Sequence, residues 1–349
     1  MKDRNIVSLE HFIEAARDAG YTNIATALAE LIDNAFEAAA TSVRINFEIS
    51  ENQDLSVFIE DDGCGMTPTV LELALQFGGT TRFNSRVGAG RYGMGLPNSS
   101  LSQARRVEVV TWRNQRTVWK SYLDVDEIVS GKLKSIPKSL RAGISYAKTQ
   151  SGTVVIWKKC DRVIFKNKRI FLAKIRKALG RLFRKQLWAG KEIIVSDEKV
   201  VPVDPLFLRT SDSENAAPFG SEVEYEIAVP GIQNLTSKVT VKFVELPLER
   251  WHALSNEQKQ SRGISKGAGT SVIRAGREID YGWFFMGKKR KENYDDWWRC
   301  EICFEPELDE VFGVTNTKQG IRPQELLKGI LSADMEQIAH TLNGRVRTR

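Results

Sequence analysis

Two segments separated by 22 residues constrain this chain more than any other part of it. The first, Glu30–Ala38 (ELIDNAFEA), sets Glu30, Asp33, Asn34 and Glu37 at i, i+3, i+4 and i+7, so on a helix four polar groups share one face. The opposite stripe, Ile24, Leu28, Leu31 and Ala35, is apolar and is expected to be buried. Carboxylates clustered and turned inward need a cation or a polar ligand to satisfy them. The second segment opens with Asp61–Met66 (DDGCGM) at a strand end and closes with Gly90–Gly95 (GRYGMG) at the start of a helix. Together the two halves describe a nucleotide pocket.

Composition bounds the rest. At 349 residues, 42% hydrophobic and 27% charged, the chain has ordinary globular usage and room for two cores. No apolar run reaches the ~20 residues of a membrane span, and MKDRNIVSLE lacks the apolar core of a signal peptide. Four cysteines fit a reducing compartment, cytoplasmic or, in a eukaryote, nuclear. Cys300 and Cys303 form a CxxC without a second pair, inside the strand-like alternation WRCEICFE, which favours a structural over a zinc reading. His11, His252 and His340 lie too far apart for metal-ligand spacing. Lys158–Lys191 holds thirteen Lys/Arg against one acid, Asp161, a local +12 that leaves −5 on the rest of a chain whose total is +7. Such a stripe is either a footprint for nucleic acid or a solvated helix face paired with acidic neighbours.

Patterning gives helices over 8–19 and 23–40, strands at 42–49 and 54–60, and a helix at 70–77 launched by Thr67-Pro68. Gly78–Gly93 is a long glycine-rich loop, followed by a helix over 95–103, strands at 106–112 and 116–124, an irregular stretch to Ser151 and a strand at 153–157. That order predicts a helix layer on a mixed sheet rather than a doubly wound fold. A basic helix over 170–188 and a strand at 192–195 lead out of this domain. A second α+β domain follows, with strands at 222–229, 238–244, 269–274 and 298–304, then a helix over 324–342 and a basic tail. The expected division is 1–160, 161–205, 206–323 and 324–349. An end just after a helix reads as part of a longer protein.

The helical ExxDN, the strand-end DxGxG and the loop-helix GxxGxG, in that order and spacing over about Asn23–Trp157, resemble the GHKL ATPases: gyrase B, MutL, ATP-clamp chaperones, histidine kinases and MORC proteins. The resemblance implies an α+β chain: a two-layer, Bergerat-type ATP-binding sandwich and then an S5-like transducer domain. It casts Glu30 as the general base for the attacking water and Asn34 as the Mg²⁺ ligand. Asp61 suits the exocyclic amine of adenine, Gly63 and Gly65 allow close backbone approach to the base, and Met66 offers a soft surface to its ring. The resemblance adds Thr153 beside that aspartate. A plain hairpin turn is the competing reading of Asp61-Asp62-Gly63.

Six glycines in eighteen residues, Gly78, Gly79, Gly88, Gly90, Gly93 and Gly95, offer backbone N–H groups to phosphates. Gly90, Arg91, Tyr92, Gly93, Met94, Gly95 and Leu96 are therefore candidate nucleotide contacts, and the resemblance makes the loop a lid. Arg82, Arg86 and Arg91 are phosphate ligands or solvated charges. A histidine kinase would need a phosphoacceptor hairpin upstream, and only ten residues precede His11. In FGVTNTKQGIR, Lys318 resembles the transducer lysine that reaches the γ-phosphate; otherwise it is a surface charge. The sequence thus points to an ATP- and Mg²⁺-dependent clamp that dimerises on ATP binding and acts on DNA in repair, compaction or antiviral defence, with further protein partners or a C-terminal effector domain. Lys174, Arg181 and Lys185, placed near one face of the basic helix, are the candidate DNA contacts. The rival is a chaperone-type ATPase that remodels proteins.

Overall fold

The computed structural model describes residues 7–21, 23–79, 93–209, 215–315, 317–318 and 320–349. The chain forms two compact units, Met1–Gly180 with Gln186–Val201, and Arg181–Lys185 with Pro202–Arg349. In the first unit the order is α1 (Leu9–Asp18), α2 (Ile24–Glu37), β1 (Ser42–Ile49), β2 (Leu55–Asp61), α3 (Pro68–Leu75), α4 (Gly95–Leu101), β3 (Arg106–Asn114), β4 (Thr117–Asp124), α5 (Val125–Val129), β5 (Leu140–Arg141) and β6 (Gly152–Lys158). Then come α6 (Lys168–Leu182), α7 (Arg184–Trp188), β7 (Glu192–Val195) and β8 (Glu198–Lys199). The strands make one sheet, β5-β4-β3-β6-β2-β1-β7-β8, in which β1 and β7 run parallel and the other neighbours antiparallel.

Alternation decides which way the sheet faces. Val43, Ile45 and Phe47 on β1, Leu55, Val57 and Ile59 on β2, Val107 and Val109 on β3, and Val155 and Trp157 on β6 are buried on one side, with the helices as their cover. The other side carries a smaller cluster, Val110, Trp112, Val118, Val154 and Ile156, closed by Ala142, Tyr146 and Ala147. The stretch before Ser151, expected to be irregular, is therefore ordered by the apolar side chains it covers. Asn23 caps α2 by accepting from the N–H of Ala25 at 2.8 Å, and Thr67 caps α3 with Pro68 at its first position. In α2, Leu28, Leu31 and Ala35 of the apolar stripe are buried as expected and Ile24 is half-buried, but Glu30 and Asp33 on the polar face are buried too.

The second unit adds β9 (Ala217–Pro218), β10 (Val223–Ala228), β11 (Thr236–Glu245), α8 (Leu248–Trp251), α9 (Asn256–Ser261), β12 (Thr270–Arg274), β13 (Arg277–Gly282), β14 (Trp298–Phe304), α10 (Asp309–Phe312) and α11 (Glu325–Thr348). Its sheet runs β10-β11-β14-β12-β13 with β9 on β11, and β12 and β14 are parallel. Leu327, Leu331, Met335, Ala339 and Leu342 form the buried stripe of α11 within the main core.

The basic segment is not one helix. It breaks at the buried Phe183, and Arg181–Lys185 packs with the second unit. Arg184, 1% exposed at its side chain, donates to Glu278 at 2.9 Å, to Ser271 at 2.7 Å and to Glu301 at 2.7 Å. Arg181 pairs with Glu278 at 2.6 Å and Lys185 with Glu301 at 2.9 Å. Burial pushes the Glu301 carboxyl up, but Lys185 and Arg184 outweigh it and hold the group below its ordinary range.

Candidate functional site

Two backbone connections assemble the site in the first unit. Cys64 N–H donates to the carbonyl of Ala38 at 2.9 Å, which seats the DGCG turn on the end of α2. Gly78 N–H donates to the carbonyl of Gly93 at 3.0 Å, which closes the base of the glycine-rich loop. The loop returns at Gly93, Met94, Gly95 and Leu96, all half-buried, with Gly93 at a φ of 61° that favours glycine. Gly90, Arg91 and Tyr92, with Arg82, Arg86 and Gly88, lie outside the described residues.

Gly95 meets Glu30. A Cβ at Gly95 would collide with Glu30 Oε1 and lie 3.0 Å from its Cδ and 3.1 Å from its Cγ. The Glu30 side chain therefore lies across the start of α4, only 3% exposed. Asn34 follows one helical turn later, half-buried, and Asp33 is buried on the same helix.

At the other side of the site the buried face of the sheet turns polar in a single rung. Asp61 stands opposite Thr153, and Thr153 opposite Thr111, so the three side chains share the face that Ile59, Val155 and Val109 occupy one step earlier. Gly63 N–H donates to Asp61 Oδ1 at 2.8 Å. Burial raises the Asp61 carboxyl to about 6; hydrogen bonds from the backbone of Gly63 and Thr153 oppose the rise, and the charges of Asp62 and Glu60 add to it.

Asp62 is spent differently. It accepts from the N–H groups of Thr41 at 2.7 Å and Ser42 at 2.9 Å and from the Thr41 hydroxyl at 2.5 Å, fixing the start of β1. Partial burial pushes its carboxyl up, yet these hydrogen bonds outweigh it and hold it below the usual value. The adjacent aspartates thus differ: Asp61 stands on the buried face of the sheet, and Asp62 clasps the start of β1.

The glycines have a packing role of their own. Gly65 has a φ of 65°, and a Cβ there would strike the Trp112 carbonyl and stand 3.2 Å from that of Gly152. At Gly63 a Cβ would sit 2.9 Å from Asp61 Oδ1 and 3.0 Å from the Ala38 carbonyl. Met66 N–H donates to Thr111 Oγ1 at 2.9 Å, the Thr111 hydroxyl donates to the Gly152 carbonyl at 3.0 Å, and Thr111 and Thr153 hydroxyls lie 3.1 Å apart. Sequence reading missed Thr111. Its signal is a hydroxyl in the apolar run VVTW, two residues beyond Val109 on the buried parity.

The remaining candidates lie elsewhere. Lys318 belongs to the second unit, in the turn between the bridged residues Val314 and Ile321. It is buried, with a φ of 50° and its N–H donating to the Thr315 carbonyl at 2.8 Å. Lys174 is exposed on α6, whereas Arg181 and Lys185 are held by Glu278 and Glu301, and Lys185 falls on the separate helix α7. The single basic face expected over these three residues is therefore not formed.

Residues 21–153, which hold Glu30, Asn34, Asp61, Gly93–Leu96 and Thr153, match the profile of the histidine kinase-, DNA gyrase B- and HSP90-like ATPases. ATPase morc-1 of Caenorhabditis elegans is 34% identical over 86 residues, 25% of this chain and 10% of that protein. The DNA mismatch repair protein MutL of Rhizorhabdus wittichii is 28% identical over 124 residues, 35% of this chain and 20% of that protein. The matches thus span only a tenth to a fifth of these relatives. The profile match and the assembled motifs fall on the same stretch: residues 21–153 are similar to the histidine kinase-, DNA gyrase B- and HSP90-like, or GHKL, ATPases.

Proposed function

We propose that the protein is an ATP-hydrolysing molecular clamp that binds Mg²⁺-ATP in the first unit, dimerises when it does so and acts on DNA. The observation that carries this reading is the pairing of a buried carboxylate, Glu30, packed against Gly95, with the polar rung Asp61–Thr153 that ends an otherwise apolar sheet face. The rung receives the adenine edge, with Met66 against the ring, and Glu30 takes the proton of the water that attacks the γ-phosphorus. Asn34 fits a Mg²⁺ ion, since its amide oxygen is a hard ligand one turn from Glu30. Among the described residues no cluster of three or more His, Cys, Asp or Glu side chains could hold a metal, so the phosphates and water would supply the other ligands.

Lys318 is the proposed γ-phosphate ligand of the second unit, read as an S5-like transducer. It is buried in the turn between Val314 and Ile321, and a lysine suits a phosphate as a compact point charge. DNA is supported by the mismatch-repair relative and by the exposed Lys166, Lys168, Arg169, Lys174 and Lys177. No described helix is long and apolar enough to cross a membrane.

The test is ATPase rate and oligomeric state, with and without duplex DNA, at two salt concentrations. ATP-dependent dimers and DNA affinity that falls steeply with salt support the clamp. Hydrolysis with no DNA affinity at low salt supports the protein-remodelling alternative, and no ATP binding at all refutes both.

A further inference from the structure

The Thr111 hydroxyl has one hydrogen and two lone pairs. The hydrogen goes to the Gly152 carbonyl, 3.0 Å away, and one lone pair accepts from Met66 N–H at 2.9 Å. Its remaining lone pair is the only capacity left for Thr153 Oγ1 at 3.1 Å. Thr153 must therefore be the donor of that bond, which leaves its oxygen an acceptor alone. Asp61, directly across the ladder on the same face, is also an acceptor when ionised.

We propose that Thr111 is a positioning residue that sets base selectivity: by fixing the Thr153 hydroxyl as an acceptor beside Asp61, it makes the pocket accept the amino group of adenine and reject the O6 of guanine. This rests on the proposed reading of the rung as the base-binding edge. Two fixed acceptors welcome an N–H donor, whereas a carbonyl oxygen against them leaves three acceptors without a proton. With valine at 111, the Thr153 hydrogen is free to turn toward the base and donate to O6. Selectivity should then drop although neither residue of the base edge has changed.

The experiment measures ATP and GTP affinity of the full chain with Mg²⁺, by displacement of a fluorescent ATP analogue, in wild type, Thr111→Val, Thr111→Ser and Thr153→Val. The wild type should prefer ATP, Thr111→Val should lower the ATP-to-GTP affinity ratio about tenfold, and Thr111→Ser should restore it. In the Thr153→Val background, Thr111→Val should change the ratio no further, because its effect passes through Thr153. Thermal midpoints fall for a purely structural threonine too, so the ratio is the readout. Thr111→Cys, with a weakly bonding sulfur, should lower the ratio in the same direction and serves if the valine variant does not fold. An unchanged ratio in an ATP-selective protein overturns the role of Thr111 and leaves the ATPase reading standing. A wild type that binds ATP and GTP equally overturns the base edge and this proposal together, and one that binds neither overturns the ATPase reading itself.

Discussion

Asp61 should make nucleotide affinity fall with acid while making the empty protein more stable. Its carboxyl titrates at about 6 because burial disfavours the charge, so about nine-tenths is ionised at pH 7 and about one-tenth at pH 5. If the ionised form receives the adenine amine, affinity should fall about tenfold between those pH values. The terminal phosphate titrates in the same range, so Asp61→Asn, measured alongside, removes that contribution. For stability the sign reverses. A folded-state value above the unfolded 3.8 means the contribution is full below about 3.8 and lost as pH rises through 6. The difference is on the order of 3 kcal/mol, so Asp61→Asn should bind ATP weakly yet resist urea better than wild type at pH 7, an advantage that vanishes by pH 4. Calorimetric titration with ATP and urea melts at pH 4, 5, 6 and 7 measure both. An affinity whose pH profile is the same in Asp61→Asn would remove Asp61 from the base edge.

Gly95→Ala places a methyl into the Glu30 carboxylate, and a displacement of about 1 Å at a catalytic group typically costs ~100-fold in rate. Steady-state turnover should drop accordingly, while Gly329→Ala on α11, where nothing lies within 4 Å, leaves it unchanged; normal turnover in Gly95→Ala would contradict the placement of Glu30. Arg184→Met removes the cation shared by Glu278 and Glu301 and should destabilise the second unit by about 3 kcal/mol in denaturant melts. Charge reversal at Lys174 and Lys177, both exposed on α6, should flatten the salt dependence of DNA binding without altering basal hydrolysis. Equal DNA affinity in wild type and variant would favour the protein-remodelling alternative.

What sequence reading recovered is what short-range patterning encodes. The spacing of Glu30, Asp33 and Asn34, the Asp61 turn and the strand ending in Trp157 all lie within single elements, where side-chain period and glycine position fix the geometry. The misses are long-range pairings. Arg181 and Lys185 read with Lys174 as one basic face because their partners, Glu278 and Glu301, lie about a hundred residues away. The same pairing hid β13, since buried Arg277 and Glu278 break the apolar alternation that marks a strand. Asp161, a lone acid in a basic run, is the partner of buried Arg17 at 2.7 Å, and no local signal links them. Thr111 was legible only as a hydroxyl out of place in a core strand; its meaning needed the register that sets it beside Thr153.

The central claim is that Glu30 is the base in an ATP site, and Glu30→Gln tests it most directly, because the amide keeps the size of the side chain and removes its basicity. Single-turnover hydrolysis and equilibrium ATP binding should be measured on wild type and variant together. ATP affinity should stay within a few-fold of wild type while hydrolysis falls at least ~100-fold, since only the transition state needs the base. Hydrolysis by Glu30→Gln at a near wild-type rate would contradict it.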